Sequence, residues 1–158
     1  MLALRAAQQS GDLSTEEFLT AGATTVATAD DHAVSLGDLA SAAALTALRG
    51  EPVDPAGIVL PDQTDRLTSS LSTILADSAP DDADGTAAIA RLGTAEPLSA
   101  GQWATGQALQ AQDAGRWRRM VGPDPCPICT DLEAGTVPAD VAMWSHPGCS
   151  CVQVPVTD

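Results

Sequence analysis

Helical spacing of apolar residues runs through most of the first 110 positions and gives way to short strand-like runs near the end. Leu13-Ser14-Thr15-Glu16-Glu17-Phe18 places Ser14 at an N-cap with Glu17 three residues on, a capping box, and sets Leu13 and Phe18 at the two positions of a hydrophobic staple. Val34-Ser35-Leu36-Gly37-Asp38-Leu39 repeats the logic, with Ser35 as cap, Asp38 in the first turn and Val34 against Leu39. This second helix should run to Arg49 and stop at Gly50, with Pro52 beyond, so the two form a helical hairpin around Asp30-Asp31-His32. After a connector carrying Pro52, Pro55 and Pro61, Asp62 can cap a third helix whose Leu67, Leu71, Ile74 and Leu75 share one face. Pro80-Asp81-Asp82-Ala83-Asp84 reads as a loop feeding a short helix that ends near Gly93. A last, polar helix is expected from about Ser99 to Ala114, anchored by Trp103 and Leu109.

Composition makes this a lean fold. The chain has 158 residues, of which 29 are Ala and only 31 are Leu, Ile, Val or Phe. Alanine removes little apolar surface per residue, so helices must approach closely, and a metal or partner is expected to complete the stability. There is no long apolar run and no basic-then-apolar start, which argues against a membrane span and a secretory signal. Seven Arg and no Lys face 21 Asp plus Glu, a formal net charge of -14. Such a surface repels phosphates, so sequence-specific binding of nucleic acid is disfavoured. The Asp81-Asp82-Ala83-Asp84 run departs from the calcium-loop spacing, and His32 reads as a solvated loop residue or a first-turn residue near acidic partners, not a ligand or a base. Phosphate-loop, nucleophile-elbow and His-Glu-x-x-His signatures are absent from the sequence.

All four cysteines lie after residue 110, which divides the chain into a helical scaffold, 1–110, and a Cys/His module, 111–158. Cys126-Pro127-Ile128-Cys129 is a knuckle that can turn two thiolates toward one ion, and His146-Pro147-Gly148-Cys149-Ser150-Cys151 follows it. The full pattern is Cys-x2-Cys-x16-His-x2-Cys-x-Cys, five soft or borderline ligands for an ion that takes four, and tetrahedral zinc matches it best. If Ser150 begins a strand, Cys149 and Cys151 point to opposite faces. The favoured set is then Cys126, Cys129, His146 and Cys151, with Cys149 the weaker candidate; four cysteines with His146 idle is the variant. Two disulfides or free buried thiols are the competing readings of the same residues. A catalytic zinc would want an open position and a base, for which Asp131 and Glu133 are near in sequence, yet surplus soft ligands favour a closed, structural site.

The flanks suggest how the module is held. Trp117 to Val121 and Cys151 to Val156 have strand character and can pair as a short two-stranded β-ribbon, with one helical turn over Thr130 to Ala134 ended by Gly135. The fold class expected is therefore mainly α with a small β element. Arg116, Arg118 and Arg119 read as a solvated strand face that bridges to the chain's own acids.

The Trp-Arg-Arg strand, the Cys-x-x-Cys knuckle and the terminal His-Pro-x-Cys-x-Cys followed by a Val-rich strand resemble the C-terminal module of the Mu F-like minor head proteins of tailed bacteriophages, especially actinobacteriophage versions. The resemblance covers Trp117 to Val156, and it places Cys126, Cys129, His146, Cys149 and Cys151 in the family's Cys/His cluster. It implies a non-enzymatic minor capsid component inside the head, near the portal, that assists assembly, packaging or DNA delivery. The implied partners are other head proteins, such as the portal or major capsid protein, and the implied locations are the virion interior and the host cytoplasm during assembly. The alternative is a cytosolic zinc-binding adaptor that docks a partner through its helices; an enzyme ranks third.

Overall fold

The computed structural model describes residues 1–79, 82–123, 125–146 and 148–156. Helix α1 (Leu2–Ser10) leads into α2 (Thr15–Arg49), α3 (Thr64–Ala76) and α4 (Ala83–Ala111). Strand β1 (Arg116–Met120), the short α5 (Pro127–Asp131), β2 (Val137–Pro138) and β3 (Val152–Val156) follow. The protein is mainly α, a helical scaffold joined to a small antiparallel sheet.

The first cap is as expected. Ser14 Oγ accepts from the Glu17 N–H at 3.2 Å and the Glu17 carboxylate accepts from the Ser14 N–H at 2.8 Å. The helix that starts there does not stop before Ser35. It continues unbroken for 35 residues to the left-handed Gly50. Ser35 lies inside it and donates to the Asp31 carbonyl at 3.0 Å, as Thr24, Thr25, Thr28 and Ser41 do to carbonyls four residues back. A hydroxyl satisfied within its own helix gives no reason for a boundary. His32 accordingly sits on an exposed helical face, not in a loop.

Asp38 has a different role from the dipole partner expected. It is buried, and its carboxylate accepts from the N–H groups of Ala56 and Gly57 at 2.8 Å and of Ile58 at 3.1 Å. The connector is thereby tied back along α2. Gly57 takes a positive φ of 75° so that three consecutive N–H groups face one carboxylate. The third helix starts near its expected cap, with the Asp62 carboxylate accepting from the Thr64 N–H at 2.9 Å.

The fourth helix departs most from expectation. Instead of a short helix ending near Gly93 and another from Ser99, one 29-residue helix runs through Pro97. Proline in a helix interior removes a hydrogen bond and costs about 3 kcal/mol. That cost is offset because Ile89 lies before Pro97 and Ala100, Ala104, Ala108 and Leu109 after it, all of them buried. Pro80 and Asp81 of the acidic stretch fall outside the described residues. Asp82 caps α4 through the Asp84 N–H at 2.9 Å. Helix α1 was not anticipated; its Leu4, with Met1, packs against the first core cluster.

Three core clusters lie in order along α2. Phe18, Ala23 and Val26 meet Leu67, Leu71 and Ile89; Val34 meets Ala100 and Ala104; Leu45 meets Leu109 and Trp117. The partners advance together, so α2 and α4 run in the same direction, with the connector and α3 as the return leg. Close approach is built from small residues. A Cβ on Gly37 would stand 2.7 Å from the Gly101 carbonyl oxygen and 3.3 Å from the Ala104 Cβ.

The sheet has order β2-β1-β3, both pairs antiparallel, with Trp117 opposite Val137 and Pro155. The expected ribbon of β1 and β3 is present, and β2 adds a third strand. The helical turn falls at Pro127–Asp131, slightly earlier than expected, because Pro127 suits a first helical position behind the Cys126 cap. Trp117 joins Leu45 and Leu109 in the third cluster, and its indole donates to the Val141 carbonyl at 3.2 Å. The Arg49 guanidinium reaches the Gln112 and Asp113 carbonyls where α4 ends, at 2.5 and 3.3 Å. No helix among the described residues is long and apolar enough to cross a membrane.

Asp30 is the odd residue of the helical core. It is 1% exposed, and its Oδ1 has no hydrogen-bond partner among the described residues. Burial first, then the charges of Glu96 and Asp31, push its carboxyl up to about 6, against the opposing pull of Arg66. Between the ordinary carboxyl range and that value the folded chain holds a proton that the unfolded chain has released. Stability therefore falls as pH rises through this window, and the cost is fully present above it. Asp30→Asn removes a cost on the order of 1 kcal/mol at pH 7.5, raising the thermal midpoint by roughly 2–4 °C. The gain should vanish near pH 4, where the native carboxyl is protonated; paired melting curves at the two pH values check it.

Candidate metal centre

The knuckle is built by α5. Cys126 is its N-cap, and the Cys126 Sγ accepts from the Cys129 N–H at 3.4 Å. Pro127 supplies a fixed φ and lacks the N–H that would go unpaired at that position. One turn of helix thus brings the two sulfurs to one side. The other arm arrives through a turn in which the Cys149 N–H donates to the His146 carbonyl at 2.9 Å, with Gly148 at a φ of 78°.

The arms converge at Cys129. His146 Nε2 lies 3.3 Å from the Cys126 Sγ and 3.6 Å from the Cys129 Sγ, and the Cys149 Sγ lies 3.7 Å from the Cys129 Sγ. Two groups of potential ligands result, Cys126 with Cys129 and His146, and Cys129 with Cys149 and Cys151; within each, the ligand atoms lie within 4.8 Å of one another. All five residues named from the sequence are brought together, and this Cys/His cluster could hold a metal ion. All four cysteines are free thiols. Cys149, ranked weakest from the sequence, is buried and adjoins the shared Cys129. The premise of that ranking does not hold, because β3 begins at Val152, after both cysteines. Cys149 and Cys151 precede the regular strand and are both buried.

The thiols differ in acidity. The hydrogen bond from the Cys129 N–H, helped by the Cys129 and His146 side chains, lowers the Cys126 thiol to about 7 against the opposing effect of burial. Burial, reinforced by hydrogen bonds with Cys151, Cys126 and Cys149, pushes the Cys129 thiol up to about 12. Burial also pushes Cys151 up, but hydrogen bonds from the Gly122 N–H, Cys129, Arg119 and Cys149 overcome it and leave that thiol below its ordinary value. The central sulfur, Cys129, thus holds its proton more tightly than its neighbours Cys126 and Cys151.

The arginine trio does not form a uniform solvated face. Arg118 is exposed, and Arg116 donates to the Thr136 hydroxyl and carbonyl, both at 2.8 Å. Arg119 is 3% exposed, turned toward the cluster, with Nη1 3.9 Å from the Cys129 Sγ and 4.0 Å from the Cys149 Sγ. Its Nη2 donates to the Trp144 carbonyl, and the Trp144 ring lies 5.9 Å from that of His146, tilted by 59°. The signal for Arg119 was present in the sequence. Strand alternation sets residue 119 on the same face as the apolar anchor Trp117. Asp131 and Glu133 are exposed, and neither belongs to a ligand group.

Helix α4 seats the cluster on the scaffold. Gln102 Nε2 donates to the carbonyls of Cys149, at 2.5 Å, and of Cys151, at 3.0 Å. No family model, curated protein or solved structure matches this chain.

Gln102→Leu keeps the size of the side chain and deprives two carbonyls of their donor, at a cost of about 1–3 kcal/mol. Residues 116–156 should loosen before the helices do. The expected result is faster alkylation of Cys149 and Cys151 with unchanged helical circular dichroism; equal alkylation rates in both proteins would contradict it.

Proposed function

We propose that the cluster is a structural zinc site and that the chain is a non-enzymatic building part of a tailed-phage head, a minor capsid protein near the portal. The observation that carries the zinc reading is the sharing of Cys129 by both ligand groups, which ties the two arms of the module into one knot. For an ion with Zn–S of about 2.3 Å and Zn–N of about 2.0–2.1 Å, a regular tetrahedron has S···S edges of about 3.8 Å and S···N edges of about 3.6 Å. The separations of 3.7, 3.6 and 3.3 Å lie near those edges. Three buried thiols, Cys129, Cys149 and Cys151, with no carboxylate in either ligand group among the described residues, suit a closed site, not one that keeps a position for substrate.

The head-protein reading rests on the resemblance of Trp117 to Val156. It is supported by an acidic surface that avoids adhesion to packaged DNA and by a module whose stability comes from an ion, not from a large core. Zinc supplies folding free energy there. Trp117 transmits that rigidity to α2 and α4 through Leu45 and Leu109.

Protein purified under reducing conditions should carry about one zinc per chain. Cys129→Ser, which removes the shared sulfur, should abolish binding and expose residues beyond 115 to protease while the helices persist. Metal analysis without zinc refutes the site. Mass spectrometry of purified particles from cells producing the chain tests the other half. Its absence from particles, with a folded monomer in uninfected cytosol, would favour the adaptor.

A further inference from the structure

Arginine is charged at every accessible pH, and burying its guanidinium is unfavourable unless a negative group answers it. Arg119 is buried, and the contacts described for it are the sulfurs of Cys129 and Cys149, a hydrogen bond with Cys151 and the Trp144 carbonyl. The Arg66–Glu96 bridge lies elsewhere, in the helical scaffold. Among the described residues no carboxylate bridges Arg119, and the group placed to answer its charge is the cluster itself. As neutral thiols the sulfurs offer it only weak acceptors.

From this geometry, and resting on the zinc reading above, we propose that Arg119 is the charge-compensating residue of a centre with three thiolates and His146, in which Cys149 is one of the thiolates. Charge selects this set. A divalent ion with two thiolates and two neutral ligands is neutral and leaves the guanidinium unanswered; with four thiolates it carries two negative charges against one positive. Three thiolates and a neutral imidazole leave one negative charge, which Arg119 cancels. Position agrees, since the guanidinium faces Cys129, common to both ligand groups, and Cys149 beside it. Arg119 touches no ion in this scheme. It acts through the sulfurs, as groups behind metal ligands do, orienting them and stabilising their charge.

The test uses the full chain loaded with zinc. X-ray absorption of the native protein should report three sulfurs and one nitrogen around the metal. Competition with a chromophoric chelator should show Arg119→Met weakening zinc by about 10- to 100-fold. Arg119→Lys, which keeps the charge without the planar fork, should recover most of that loss. A merely structural arginine predicts that Lys and Met fail alike, and that result overturns the proposal, as does Met binding zinc as tightly as the native residue. A coordination count of four sulfurs, or of two, overturns it independently of how the variants fold. Absence of zinc from the native protein overturns the reading beneath it, a different outcome from zinc bound by another ligand set.

Discussion

The close parallel contact of α2 with α4 is the constraint from which the rest of the architecture follows. At Gly37 the gap between the helices leaves no room for a methyl group, and Ala104 fills the adjoining space. Two long helices can run side by side this way only if the chain returns between them, and residues 50 to 76 make that return. The connector has little regular structure of its own, so its backbone groups need partners elsewhere. Asp38 supplies three of them at once, from a position inside α2. An alanine-rich composition is thus no weakness in itself. It trades area buried per residue for helix proximity, and proximity sets α4 where Gln102 can hold the carbonyls of the cluster.

The sheet depends on that platform and contributes little stability alone. Three short strands, one of them two residues long, make a marginal structure in water. Two attachments make up the difference. On one side Trp117 enters the core formed by Leu45 and Leu109. On the other the sulfurs of both arms gather at Cys129, and an ion there would close a loop of 26 residues from Cys126 to Cys151. Trp117, which enters that core, and Arg119, which faces the sulfurs, lie two residues apart on the same face of β1.

The local chemistry of this chain was legible where one signal dominated. Ser14 with Glu17 announced a helix start because a capping box is satisfied by residues three apart, whatever surrounds them. The five metal-ligand candidates were legible because thiols at such spacing have few other uses. What failed were the boundaries at Ser35 and Pro97. Each carries a residue common at helix ends that is tolerated when packing on both sides favours continuation, and the contacts between α2 and α4 are not written in either segment alone. Strand β2 was invisible for a related reason. Val137 and Pro138 acquire strand geometry only by lying against Arg116 and Trp117. Arg119 failed differently: charge composition outweighed the two-residue alternation that sets it beside Trp117.

Asp30 and Arg119 show two ways of accommodating a charge out of water. Asp30 has a cation nearby, but Arg66 is already bridged to Glu96 at 2.5 Å, and Glu96 is itself one of the charges that raise its proton affinity. A carboxyl in that position lowers its cost by taking a proton, which a carboxyl can do near neutrality and a guanidinium cannot. Arg119 has no such exit, so the surroundings must carry the opposite sign. A cluster of thiols acquires that sign when a metal displaces their protons, and the number of sulfurs it then holds decides whether the charges close. On the proposal made above, the buried arginine marks the charge state in which the module is stable, through a residue that would touch no metal.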